Sequence, residues 1–333
     1  MADVLDRPVA APVTRLHAFL NAHLPTVSIA VVLLAVVTLF SFTAETFLSW
    51  DNALNVLRQT SPALIVAVAM TFVVATAGID LSVGSVMALS GVLLAVLVSH
   101  GVEPGLALVT VVAAGAAIGI VNGWCSCYQR IPSFIVTLAT LGIIRGIALR
   151  ATNGYSIALS DDGWVGFLGH GRVAGIPVQA LIAGVVTVAG WVAFHMTPFG
   201  RYVVALGSQR ESLRRAGVNV RLVGALVFVL AGSAAALAGT LVALRLDSGS
   251  ANQGVGFELT VITAVVLGGT SLFGGRGSVT GTVLAVLTLG LIENGLSLAH
   301  VNPFYVQIVQ GAILLGAVVI NAKLFGQIFL QRS

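Results

Sequence analysis

The sequence predicts an all-α, polytopic membrane protein of about ten transmembrane helices with both termini in the cytoplasm, and three observations carry that prediction. Hydrophobic residues make up 57% of the 333 and charged residues only 8%, with a mean hydropathy of +1.03. The apolar residues come in continuous blocks near the ~20 residues that cross about 30 Å of hydrocarbon, not in alternating strands, so helices satisfy the backbone within lipid. The basic residues fall mainly on one side of the map that those blocks define.

Read between polar breaks, the spans are 27–43, 60–77, 83–99, 106–124, 134–150, 177–196, 223–243, 259–272, 279–298 and 304–321. This gives an N-terminal tail of 1–26, one membrane domain over 27–321 and a C-terminal tail of 322–333, the main polar interruption being the loop 197–222. The first block follows Arg15, is long and lacks a small-residue cleavage site, so it reads as an uncleaved anchor. With the N-terminus inside, the inner segments hold Arg7, Arg15, Arg130, Arg201, Arg210, Arg214, Arg215, Arg221, Arg276, Lys323 and Arg332. The outer segments hold Arg58, Arg150, Arg172 and Arg245, and Arg145 lies in the fifth span. Eleven against four is a strong positive-inside bias. Glu45, Asp51, Glu103, Asp161, Asp162, Asp247 and Glu258 all fall outside, consistent with that orientation. In the fourth span Gly115, Gly119 and Gly123 recur every four residues and bare the backbone on one face, where another helix can approach closely. Cys125 and Cys127 are the only cysteines, too few for a disulfide framework or a zinc site, and read as packing residues.

Several chemistries are excluded. A phosphate-binding G-x-x-x-x-G-K-[ST] loop needs a lysine, and the only one, Lys323, follows Asn321-Ala322. Neither H-E-x-x-H nor G-x-S-x-G occurs, and the six histidines are scattered, so neither zinc hydrolysis nor a serine-nucleophile elbow has a footing. The chain is read as no enzyme, with no cofactor or metal of its own and no nucleic-acid partner.

What remains is a set of polar interruptions. Residues 197–221 carry five arginines. Within them Ser208-Gln209-Arg210-Glu211 has the form of a capping box, with Ser208 and Glu211 each satisfying the other's backbone amide. Gly217 suits the left-handed residue that ends a helix. The result is a short rigid helix of about eight residues, roughly 12 Å long, carrying Arg210, Arg214 and Arg215; contact with anionic membrane lipid is the competing use of those arginines. A second interruption, Gly78-Ile79-Asp80-Leu81-Ser82-Val83-Gly84-Ser85, puts a carboxylate at a span boundary, where it must reach water, pair, or cap the next helix. A third, Leu267-Gly268-Gly269-Thr270-Ser271-Leu272-Phe273-Gly274-Gly275-Arg276-Gly277, is lined with glycine, and broken helices of this kind often border a cavity.

These three stretches, G-I-D-L-S-V-G-S at 78–85, A-L-G-S-Q-R-E-S-L-R-R-A-G-V at 205–218 and A-V-V-L-G-G-T-S-L-F-G-G-R-G at 264–277, resemble the ribose-type sugar permease subunits of bacterial ATP-binding-cassette importers. The resemblance runs from about Phe47 to Asn321. It implies a ten-helix subunit of the inner membrane that pairs with a second permease subunit, as a homodimer or heterodimer. A periplasmic or lipid-anchored sugar-binding protein would deliver the sugar to loops 151–176 and 245–258. A cytoplasmic ATP-binding subunit with tandem ATPase domains would use ATP and magnesium. By the same resemblance Ser208, Gln209, Arg210, Glu211, Arg214, Arg215 and Gly217 belong to the helix that docks on the ATPase. The chain departs from the usual pattern at Thr260, where an acid is common, at Gln209, where asparagine is usual, and at Ser212-Leu213, where alanines are usual. A pathway for a neutral polyol needs hydrogen-bonding groups without strong charge, and the candidates are Asp80, Ser82, Asn122, Thr270, Ser271 and Asn294; each also suits an interhelical hydrogen bond or a cap. The alternative class, an ion-coupled secondary transporter of a small polar solute, requires a buried acid at mid-membrane, for which Glu293 lies too near a span end.

Overall fold

The computed structural model describes residues 15–159 and 163–330, and the expectations placed on Arg7, Asp161, Asp162 and Arg332 lie outside them. The helices are α1 (Arg15–Thr43), α2 (Trp50–Ala75), α3 (Val83–Ser99), α4 (Pro104–Gly123), α5 (Ser133–Thr152), α6 (Gly163–His170), α7 (Val178–His195), α8 (Pro198–Ser208), α9 (Arg210–Arg215), α10 (Val220–Arg245), α11 (Phe257–Leu267), α12 (Val279–Leu298) and α13 (Pro303–Leu330). A π-helical turn, Trp124–Tyr128, extends α4. Each expected span has a helical counterpart. Among the described residues seven helices are long and apolar enough to cross a membrane, while α3, α11 and the apolar part of α13 are shorter. This is an all-α polytopic membrane protein.

Within the bundle, α2 starts ten residues before the expected span at 60. Its first turns are polar and therefore invisible to a hydropathy reading. They are helical because Ser49 caps the Asn52 amide at 3.2 Å and Asp51 complements the N-terminal dipole. The eighth span is shorter than expected: α11 stops at Leu267, where Gly268 and Gly269 end it. At the two chain ends, α1 and α13 extend helix into segments expected as tails.

α10 is the central column, packed against α2, α3 and α4. The glycine face of α4 meets it as the four-residue spacing requires: Gly115 lies on Gly232 and Ala236, Gly119 on Phe228 and Val229, and Gly123 on Ala225. A Cβ added at Gly119 would stand 2.7 Å from the Val229 Cα, so the two backbones touch without side chains between them. Lipid offers no hydrophobic drive between helices, and such close van der Waals packing holds this pair together.

A second use of glycine is less regular. After α10 the chain does not leave the bundle but runs as irregular, mostly turn-forming backbone alongside α3, with Gly249 against Gly91 and Gly254 against Gly84. Seven residues of α3 separate those contacts, about 10 Å at 1.5 Å per residue, so α11 begins well inside the bundle. Irregular backbone at that depth needs partners, and Arg145 of α5 supplies them by donating to the carbonyls of Ala251 and Gln253 (2.6 Å to Gln253). An arginine inside a span thereby acquires a structural role. At the rim, β1 (Ile157–Ala158) pairs antiparallel with β4 (Ser248–Gly249), and His170 Nε2 lies 2.9 Å from Asp247 Oδ1, which joins the two loops expected to face a binding protein. A separate hairpin, β2 (Arg172–Val173) with β3 (Ile176–Pro177), leads into α7.

Gly232→Val places methyl groups against the Gly115 carbonyl and the Gly119 amide. It should destabilise the α4–α10 pair by about 1–3 kcal/mol, seen as a lower melting temperature in detergent, whereas the same change at Gly142, which has open space around it, should be nearly neutral.

Candidate functional site

The three interruptions lie far apart in sequence and meet at one end of the bundle. α2 ends at Ala75, and the Thr76-Ala77-Gly78 turn closes by Gly78 N–H donating to the Val73 carbonyl at 3.1 Å. The Gly275 amide donates to the Ala75 carbonyl at 2.9 Å, docking the third interruption on that turn. Gly207, near the end of α8, lies against the Ala75 carbonyl, the Gly275 amide and the Gly274 Cα, so a Cβ there would collide with backbone on both partners. Gly274 and Gly275 both have φ near +77°, a left-handed conformation that suits glycine, and Gly275 faces Ser208. Backbone meets backbone at three points, forming a joint with almost no side chain in it.

From this joint α8 and α9 project as an elbow. The expected capping box is absent: Ser208 closes α8, its hydroxyl directed at the Ala205 carbonyl at 3.4 Å, and Gln209 stands at the N-terminus of α9 without a side-chain cap. Glu211 instead accepts from Arg214 Nη2 at 2.8 Å and Nε at 3.0 Å, and from Arg215 Nε at 3.3 Å. The carboxylate is drawn to the guanidinium groups three and four residues on. α9 is therefore six residues long, not eight. Its C-terminus is as expected: Gly217 has φ +81°, its amide donates to the Arg214 carbonyl at 3.0 Å, and the Val218 amide donates to Leu213 at 3.4 Å, a Schellman ending. Hydrogen bonds from Arg214 hold the Glu211 carboxyl below the usual glutamate range.

The pathway candidates sit in hydrogen-bonded interiors. Asp80 Oδ1 accepts from the Ser82 amide at 2.9 Å and its hydroxyl at 2.6 Å. Asn122 donates to Ser82 Oγ at 3.0 Å and accepts from Thr140 at 2.7 Å, so one chain of bonds links the start of α3 to α4 and α5. Asn294 exchanges two 2.9 Å bonds with Asn52, clamping α12 to α2. Thr270 accepts from the Ser278 amide at 3.3 Å and Ser271 from the Phe273 amide at 3.2 Å, both inside the glycine turn. All six candidates are buried. In this conformation they hold helices and turns together, and the structure brings Asp80, Ser82 and Asn122 into one network while leaving Asn294 and the Thr270–Ser271 pair elsewhere.

Open polar space lies elsewhere, beside α11. Two adjoining cavities of about 400 and 600 Å³ share Gln59, Ala63, Arg245, Thr260, Leu289 and Glu293. The larger adds the Gln253–Gly256 backbone and Gln307 and Gln310 of α13. Arg245 Nη1 also reaches the Arg58 carbonyl at 3.4 Å. Amides, a hydroxyl, a guanidinium and a carboxylate thus surround space at the start of a broken helix, an arrangement suited to hydroxyl-rich cargo. Hydropathy alone could not find this set, because its members come from five separated segments. Of this set the sequence singled out Thr260, as a departure from the usual acid, and Glu293, as an acid too near a span end to couple an ion.

Comparison with known proteins places this geometry. A family model described as the permease component of the branched-chain amino acid transport system matches residues 52–318. The chain belongs to this permease family. It is 40% identical over 296 residues to the ribose import permease protein RbsC of Escherichia coli strain K12, covering 88% of this chain and 92% of the relative. It is 34% identical to the D-allose transport system permease protein AlsC of the same organism (87% and 89% covered). Against the L-arabinose ABC transporter permease protein AraH of Azospirillum brasilense it is 38% identical (88% and 86% covered). No solved structure matches it.

In the permease, the Glu211 fork gives a test with a definite sign. A carboxylate whose value is depressed keeps its ion pairs above the usual range and loses them as pH falls through the lowered value. Carbon-13 titration of Glu211 should show a midpoint below the usual glutamate range, and Arg214→Ala should move it upward; an unchanged midpoint in the variant would show that the fork does not form.

Proposed function

We propose that this chain is the permease subunit of an ATP-driven importer for a monosaccharide or similar polyol in the bacterial inner membrane, the cavities beside α11 forming part of the sugar's route. The observation that carries the route is the convergence of Gln59, Arg245, Thr260 and Glu293 on open space next to irregular backbone at membrane depth. The three relatives named for ribose, allose and arabinose support the sugar class, and their chemistry is shared: neutral, hydroxyl-rich rings. The ten helical segments and the eleven-to-four distribution of basic residues support ten membrane elements with both termini in the cytoplasm.

That orientation puts α8 and α9 in the cytoplasm. Glu211, Arg214 and Arg215 form their exposed charged surface, suited to docking on a separate ATPase subunit, with tandem ATPase domains as the expected form. The same orientation puts the β1–β4 rim outside, where a sugar-binding protein would unload. A second permease subunit completes the pathway. In this scheme closure of the ATPases moves α8 and α9, the joint at Gly207 carries the motion to α2 and to the 268–278 turn, and the turn shifts α11 beside the cargo. This chain binds no nucleotide; ATP and magnesium belong to the motor.

Uptake of radiolabelled sugar by cells carrying Gln59→Ala, Thr260→Val or Gln310→Ala tests the route. Each lost hydrogen bond, worth about 0.5–1.5 kcal/mol, should lower uptake by roughly 2- to 10-fold at unchanged protein level. Wild-type uptake by all three variants would remove the cavities from the pathway.

A further inference from the structure

The end of the bundle that carries α8 and α9 contains another cavity, of about 600 Å³, which the transport route does not use. Its walls are the 76–78 turn after α2, the π-helical turn, the 130–133 turn before α5, the α8–α9 elbow and the start of α10. Arg130, Arg210 and Arg221 line it. Among the described residues none of these three forms an ion pair, and the cavity's one acid, Glu211, is committed to Arg214 and Arg215. Arg221 stacks on the Tyr128 ring at 5.9 Å, fixing its guanidinium plane. Three uncompensated cations around one concavity is an electrostatic arrangement that an anion relieves.

A second, independent feature points the same way. Ser126 lines the cavity, and its Oγ is a buried hydroxyl without a hydrogen-bond partner. Buried polar groups are nearly always satisfied, so an orphan in a cavity wall marks the place of a missing partner. Ser126 lies within the π-helical turn Trp124–Tyr128, where the Gln129 amide reaches back five residues to Trp124 at 3.2 Å. Such turns interrupt helices most often at functional sites. The remaining wall is mixed, with Ile131, Leu206 and Phe228 alongside the polar Thr76 and Ser133. The cavity also sits where α2 and α4 end and α5 and α10 begin, which in the proposed orientation is the cytoplasmic end of the bundle.

We propose that this cavity binds a phosphate group, held by Arg130, Arg210 and Arg221 with Ser126 donating to it, and that the anionic phospholipid headgroup is its source. Basic pockets between helices on the cytoplasmic side recognise lipid phosphates in this manner. Ile131, Leu206 and Phe228 beside the guanidinium groups suit a molecule with a charged head and an apolar continuation. Because Arg210 belongs to α9 while Arg130 and Arg221 belong to the bundle, an occupant bridges the elbow to its foundation and stiffens it. Anionic lipid would then set how firmly the motor grips the permease.

The test uses the purified full-length permease in neutral detergent, with melting temperature and lipid occupancy by native mass spectrometry as readouts. Phosphatidylglycerol should raise the melting temperature and remain bound, and phosphatidylcholine should do neither. Arg130→Ala with Arg221→Ala should lower phosphatidylglycerol occupancy by at least about tenfold, the scale of one charged hydrogen bond. Arg172→Ala at the opposite end is the control for loss of charge and should retain occupancy. Should the double variant fail to fold, Ser126→Ala and Arg210→Ala singly carry the same expectation. Protection by inorganic phosphate alone, at the same residues, would assign the site to free phosphate and overturn the lipid source. Equal phosphatidylglycerol occupancy in wild type and all variants would overturn the site altogether.

Discussion

Gly207 of α8 touches the Ala75 carbonyl and the Gly274–Gly275 backbone directly, and the rest of the functional architecture depends on that contact. A side chain in the joint could rotate and absorb a displacement; backbone cannot. The Gly275 amide to Ala75 carbonyl bond fixes the turn after α11 to the end of α2, and Gly207 wedges α8 against both. The contact therefore ties the α8–α9 elbow to two breaks in the bundle at once. Packed interfaces of this kind shift between discrete arrangements and deform little continuously, which is the property a coupling element requires.

Glycine serves the rest of the bundle by the same physics. Along α4 and α10 it brings two long helices together where lipid supplies no hydrophobic force. Along α3 it lets irregular backbone descend about 10 Å into the bundle, so that α11 starts beside the polar cavities. That descent would expose carbonyls to an apolar interior, and Arg145 answers two of them. The polar residues of the interior divide accordingly. Asp80, Ser82, Asn122 and Asn294 are consumed in holding helices together, whereas Gln59, Arg245, Thr260 and Glu293 are left facing space.

Much of this was legible in the sequence. Continuous apolar blocks located the helices, and 279–298 was predicted to the residue. The four-residue glycine spacing of α4 predicted its contact face, and Gly217 predicted the left-handed end of α9. Failures arise where local polar contacts, which neither hydropathy nor a motif's spacing weighs, decide the outcome. The Ser208–Glu211 pattern fits a capping box, yet Arg214 and Arg215 win the carboxylate. Polar first turns hid the start of α2 because hydropathy cannot see a capped polar helix. Sequence picked out polar residues inside apolar spans as pathway candidates, and those are the ones most strongly driven to bond to each other. The cavity residues lie near span ends, outside the apolar interiors from which the pathway candidates were drawn. The three motifs were each recognisable, but that they meet in one joint follows only from the fold.

The most direct measurement is the number of sugar molecules moved per ATP hydrolysed in proteoliposomes that hold the permease, its ATPase subunit and a sugar-binding protein. Gly207→Ala adds one methyl group against the Ala75 carbonyl and the Gly275 amide, about 1–3 kcal/mol of overpacking at the joint. A rigid backbone joint predicts that the complex still assembles and hydrolyses ATP while the ratio of sugar to ATP falls well below that of the wild type. An unchanged ratio, with Gly207→Ala transporting as the wild type does, would contradict the joint as the route by which the motor drives the membrane domain.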